Sequence, residues 1–147
     1  MIWDISTIIA ALAIIWAIIE FRNNVKINRL ERTLNVFPTI REEYFDLTKK
    51  VLLNGVVTPN GEILLREYLA KMERFSVGVH CKIYDVSIVE RMSGRVLMGQ
   101  YDNFIREYIA NRIKNGMSVT TYCEYEKLIK MIADIRAKKG EATLLNV

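Results

Sequence analysis

ISTIIAALAIIWAII, residues 5–19, carries no charged side chain. Met1, Ile2 and Trp3 before it and Phe21 after it extend the apolar run toward the roughly 20 residues that a helix needs to cross a bilayer. Trp3 is an apolar ring with a polar edge, placed for a membrane interface. A cleavable secretory signal would carry a basic leader and a small-residue cleavage site. Here the nearby side-chain charge ahead of the run is Asp4, and the run ends in IIEFRNN, residues 18–24. The pattern predicts a retained transmembrane helix over residues 1–22. Arg22, Lys26, Arg29 and Arg32 follow it within eleven positions, while no Lys or Arg precedes it. Positive charge stays on the cytoplasmic side, so the N-terminus is expected outside and the remainder inside, at the plasma membrane.

Outward from the anchor, EFRNNVKINRLERTLNVF, residues 20–37, holds no glycine or proline. It predicts a continuation of the helix as an amphipathic stalk over residues 23–37. Val25, Leu30, Leu34 and Phe37 are its candidate seam for self-association. Ala10, Ala11, Ala13 and Ala17 offer small surfaces for close helix approach inside the bilayer.

Residues 38–137 read as a cytoplasmic helical domain, and 138–147 as a flexible tail. Pro38 and Thr39, with Glu42 and Glu43 behind them, resemble a helix start. That helix is expected to end at Asn54-Gly55, before the turn VVTPNG. The next carries Leu65, Tyr68, Leu69, Met72, Phe75 and Val79 on one stripe. Asp85 is an expected N-cap for VSIVERM, residues 86–92, ended by Ser93-Gly94. A further helix over 95–115 stops at Gly116. Ser118 or Thr120 is an expected cap for the last, which carries Tyr125, Leu128, Ile129 and Ile132. Sustained period-2 alternation is absent, so the fold class is all-α.

Composition narrows the chemistry. In 147 residues, 51% are hydrophobic and 26% charged, which suits a folded chain and excludes a disordered one. The net charge of +4 owes much to the flank after the apolar run. Cys81 and Cys123 match no metal-ligand spacing and fit a reducing compartment. With one histidine, His80, a structural zinc site is not expected, and no glycine-rich phosphate loop appears. The expectation is therefore no metal and no cofactor. Glu42, Glu43, Glu73 and Glu90 read as solvated carboxylates on amphipathic helices. Met92 and Met98 read as core. Tyr101, Tyr108, Tyr122 and Tyr125 read as a core aromatic stripe, since a base-stacking platform would interleave basic residues.

YLAKMERFSVGVHCKIYDVSIVERMSGRVLMGQYDNFIREYIANRI, residues 68–113, resembles the small single-pass bacterial membrane proteins grouped as domain of unknown function 4760. Tyr68, Leu69, Glu73, Phe75, Tyr84, Asp85, Val89, Gly94 and the aromatic YDNFIREYI carry the likeness. It implies topology, and no activity. The layout is also similar to membrane-anchored HEPN-like accessory proteins of RNA-targeting CRISPR systems, which implies assembly around a pore and a setting in antiviral defence.

HEPN ribonucleases carry Arg-x(4–6)-His, and Arg74 and His80 fit that window. In that chemistry the imidazole, with a reference pKa of about 6.5, moves a proton while the guanidinium holds the phosphate. RNA would then be the substrate. Against it, six helical positions turn through about 600°, so the pair would not share a face unless the helix breaks near Gly78. A histidine at a helix end commonly caps the last carbonyls. The favoured reading is a homo-oligomeric accessory or effector at the bilayer that acts by contacts or membrane perturbation. The alternatives are a ribonuclease and a non-catalytic scaffold for a protein partner encoded nearby.

Overall fold

The computed structural model describes residues 4–51 and 59–141, without the side chains of 48–51. Trp3, the helix end at Asn54-Gly55, the first three residues of the turn after it and the tail beyond 141 lie outside the described residues. Among the described residues there are five α-helices: α1 Ile5–Val51, α2 Pro59–His80, α3 Val86–Gln100, α4 Arg106–Lys114 and α5 Cys123–Lys138. Among the described residues there is no strand, and the all-α reading stands.

α1 is one helix of 47 residues, about 70 Å long at 1.5 Å per residue. It does not restart at Pro38, as the sequence pattern predicted. Proline removes one backbone donor, but Thr33, Phe37, Ile40 and Leu47 bury one face of α1 on both sides of it. That packing outweighs a single lost hydrogen bond. The body therefore reaches back to Thr33 and Phe37, which the pattern placed in the stalk. At the other end, residues 5–21 are exposed along their whole length. The most apolar window of α1 has mean hydropathy 1.9 and none of it is buried, so the helix is long and apolar enough to cross a membrane.

α2 buries the stripe predicted for it: Leu65, Tyr68, Leu69, Met72, Phe75 and Val79. It runs through Gly78 without a break. A Cβ there would lie 2.4 Å from the Tyr84 ring, so glycine is needed for the turn to fold back. That ring stacks on Phe75 at 4.7 Å. The Ile83 N–H donates to the Gly78 carbonyl and the Lys82 N–H to the Val79 carbonyl, with Lys82 at φ 59°, a left-handed helix end. Asp85 then caps α3 as expected, accepting from the Ser87 N–H at 2.9 Å.

Ser93-Gly94 does not end α3. Gly94 sits inside it, where a Cβ would be 3.1 Å from Ile132 of α5, so the glycine serves close helix packing and not a stop. A π-helical turn, Tyr101–Ile105, links α3 to α4 with αR backbone at both joins, so residues 86–114 form one rod. Gly116, at φ 96°, ends it as predicted. α5 packs on both α2 and α3 through Tyr125, Leu128, Ile129, Ile132 and Ala133, and α1 covers α2.

Candidate functional site

The two residues of the ribonuclease reading face different partners. Because α2 is unbroken, Arg74 and His80 lie about 120° apart around its axis and about 9 Å apart along it. Arg74 donates from Nε to the Ala70 carbonyl at 3.2 Å and borders a groove with Val36, Ile40, Lys71, Phe75 and Tyr84. His80 points to α5, its Nδ1 2.9 Å from Glu124 Oε2. That is a close approach without the alignment of a directed hydrogen bond. The Lys127 ammonium, bonded to the Glu124 carboxylate, holds that carboxyl below its usual range.

Beside His80, Glu73 does a job that sequence reasoning missed. Its carboxylate accepts from the Glu124 N–H at 3.1 Å and the Tyr125 N–H at 2.7 Å. α5 has no cap of its own, because Tyr122 before it is left-handed and offers no side-chain bond. Ser118 and Thr120, the expected caps, bond each other instead. A carboxylate at a helix start compensates the first orphan N–H groups and the dipole. Only the fold brings Glu73 to α5, so no local signal could have revealed it.

Glu90 is likewise no solvated carboxylate. It is 3% exposed and held by Arg136 at 3.1 Å and by Lys139. Those two cations, Lys139 foremost, keep its carboxyl below the ordinary range. Arg136 also reaches Glu141 at 2.7 Å. Glu43 is half-buried and pairs with the exposed Lys71. The tyrosines divide: Tyr101 and Tyr125 are core and meet edge to face at 5.8 Å, whereas Tyr108 and Tyr122 are half-buried. Burial pushes the Tyr68 and Tyr125 hydroxyls well up. Met98 is core and Met92 half-buried.

The seam read from the stalk does not form one free face. The five-residue step from Val25 to Leu30 turns the helix by about 140° off the stripe. Phe37 is 1% exposed, against the Phe75 ring at 5.4 Å, and Val25 is half-buried. Leu30 and Leu34 are open to solvent, at 37% and 44%. Ile27 and Phe45, both exposed, lie within about 60° of them around α1. The free stripe is thus Ile27, Leu30, Leu34 and Phe45.

The basic flank meets the body. Arg22, Lys26 and Arg32 are exposed and Arg29 half-buried. The Thr33 hydroxyl donates to the Arg29 carbonyl at 2.7 Å and accepts from the Asp85 N–H at 2.8 Å. This relay is buried at Thr33 and pins the α2–α3 turn to α1 just beyond the basic residues. Cys81, on that turn, is an exposed free thiol, and Cys123 is free and half-buried. Among the described residues no cluster of His, Cys, Asp and Glu could hold a metal ion.

A long apolar N-terminal helix continuing without a break into a helical body defines the class: an all-α protein with a candidate membrane helix. The family follows. The model of the family described as Domain of unknown function (DUF4760) matches residues 7–132, from the apolar span to α5, and the chain belongs to that family. No curated protein and no solved structure matches it. The comparisons lend no support to the likeness with HEPN-like proteins.

Proposed function

We propose that the chain crosses the plasma membrane once through α1, with its N-terminus outside and its body in the cytoplasm, and acts by contact with further copies of itself and not by catalysis. The observation that carries the reading is the continuity of α1. One rigid helix joins an exposed apolar span to a segment that is part of the body core, through Phe37, Ile40 and Leu47. Any tilt or association of the span is thereby transmitted to the body.

A second copy is the partner that geometry favours for the free stripe. Copies anchored in one bilayer hold their helices in the same direction and at the same height. The stripe of one copy then meets the same stripe of the next, as a self-complementary contact requires. Burying each leucine contributes roughly 1.5–3 kcal/mol. The role in antiviral defence rests on architectural likeness alone, and genes for such systems beside this one would support it.

Light scattering on the detergent-solubilised protein, with the detergent subtracted, tests the contact. A protein mass that is a multiple of the 17.1 kDa chain is expected. A monomer mass refutes self-association.

A further inference from the structure

Where α1 leaves its apolar span, a cavity of about 420 Å³ opens between that helix and the body, lined by Phe21, Arg22, Val25, Lys26, Arg29 and Asp85. We propose that it binds the headgroup of an anionic glycerophospholipid, whose phosphate is held by Arg22, Lys26 and Arg29. This rests on the membrane reading above.

The three cations recur at spacings of four and three, which sets them on one face of α1. They follow directly on Phe21, and the rise from Arg22 to Arg29 is about 10 Å. Phe21 ends the exposed apolar span, so Arg22 stands where a headgroup layer begins beyond the hydrocarbon. Several cations of the body hold a carboxylate: Lys71, Arg66, Arg106, Arg112 and Lys139. At the cavity, Arg22, Lys26 and Arg29 have no ion-pair partner among the described residues. The carboxylate that lines it, Asp85, has one oxygen engaged by the Ser87 N–H.

The rest of the lining points to a lipid and not to free phosphate. Phe21 and Val25 supply an apolar wall on the membrane side, suited to a glycerol backbone and the upper acyl chain. The guanidiniums of Arg22 and Arg29 suit a phosphate geometrically, since planar forks can hold two of its oxygens. Three cations against one carboxylate leave a net charge of +2, which favours an anionic headgroup over a zwitterionic one. Asp85 would accept from a headgroup hydroxyl, such as those of phosphatidylglycerol. Asp85 is fixed in place, because the relay from the Arg29 carbonyl through Thr33 to the Asp85 N–H ties it to α1. The site thus needs the body as well as the flank, which distinguishes it from a merely basic juxtamembrane segment.

The test is lipid retention by the full chain in mixed micelles of phosphatidylglycerol and phosphatidylcholine, read by native mass spectrometry. Wild type is expected to retain phosphatidylglycerol in preference, at about one molecule per chain. R22Q/K26Q/R29Q is expected to lose about a hundredfold in retention, from three cations removed near a charged surface. R32Q/K114Q removes two charges outside the cavity and is expected to retain the lipid. The relay variant Thr33→Val is expected to weaken retention while all three cations remain. Equal retention of both lipids, or a loss in R32Q/K114Q as large as in the triple variant, overturns the proposal. So does displacement of the lipid by millimolar inorganic phosphate, which would mark a free-anion site. Alkaline carbonate extraction separates the two levels. A chain that stays in the membrane but shows no lipid preference defeats the lipid site alone, whereas a chain released by carbonate defeats the membrane reading beneath it.

Discussion

Replacing Glu73 by alanine removes the only side-chain cap described at the start of α5. Two bonds go at once, the 3.1 Å contact from the Glu124 N–H and the 2.7 Å contact from the Tyr125 N–H. Loss of an N-cap costs about 0.5–2 kcal/mol, and a bond to a charged acceptor contributes about 1.5–3 kcal/mol. Glu73 is only partly buried, and water can replace part of what is lost. About 1.5–2.5 kcal/mol is therefore expected, within the range of those two contributions. α5 is packed on both α2 and α3, so fraying at its first turn is felt by the whole body. For a body of about 100 residues, 1 kcal/mol shifts the melting temperature by about 4–8 °C. Thermal unfolding of the detergent-solubilised chain, followed by circular dichroism, should show a drop of roughly 6 °C or more for Glu73→Ala, given that scaling. Glu73→Gln keeps an acceptor and loses the charge, and should fall between. The exposed Glu67 on the same helix is the control, and Glu67→Ala should move the transition little. If Glu73→Ala melts with Glu67→Ala, the cross-helix cap contributes nothing and the reasoning fails.

Gly78→Ala places a methyl group on the Tyr84 ring and should destabilise the body by about 1–3 kcal/mol, measured by urea unfolding. Glu90 titrates below its unfolded value, so its stabilisation is complete above about pH 4.5 and is lost as pH falls through the lower folded pKa. Glu90→Gln should therefore melt well below wild type at pH 7, and the gap should close under acid; a constant gap contradicts the assignment. Arg74→Ala and His80→Ala, made separately, should leave any cellular phenotype of the chain intact at unchanged melting temperature. Joint loss of that phenotype and of an RNA-cleaving activity would return the ribonuclease reading. Leu30→Glu with Leu34→Glu should reduce the solubilised protein to monomer mass without releasing it from the membrane; an unchanged oligomer places the contact elsewhere.

Local signals carried well from sequence to structure. The α2 stripe, the Asp85 cap and the Gly116 stop follow from neighbouring residues and are found as read, and the apolar run is found as an exposed helix long and apolar enough to cross a membrane. Pro38 and Ser93-Gly94 misled for a common reason. Each has a local preference for interruption, and each lies where tertiary packing holds the helix: Phe37 and Ile40 beside the proline, Ile132 against Gly94. Glu73 and Glu90 were illegible because their partners, the α5 start and Arg136, are about fifty residues away in sequence. The seam was half legible. Leu30 and Leu34 are free, but Phe37 serves the core, since hydrophobicity does not reveal which apolar face a domain will claim for itself. The basic flank was read as a topology signal. Its second aspect, an open cavity bordered by Asp85, appears only once the α2–α3 turn is docked on Thr33.

The central claim, a single crossing with the body inside, is tested most directly at Cys81, the exposed thiol on the turn beside α1. In a Cys123→Ser background, spheroplasts are treated with a membrane-impermeant maleimide before and after lysis, and the membrane pellet is assayed. The account predicts no label on intact spheroplasts and full labelling after lysis, with the chain in the pellet. Labelling of intact spheroplasts would contradict the orientation, and recovery of the chain in the soluble fraction would contradict the anchor.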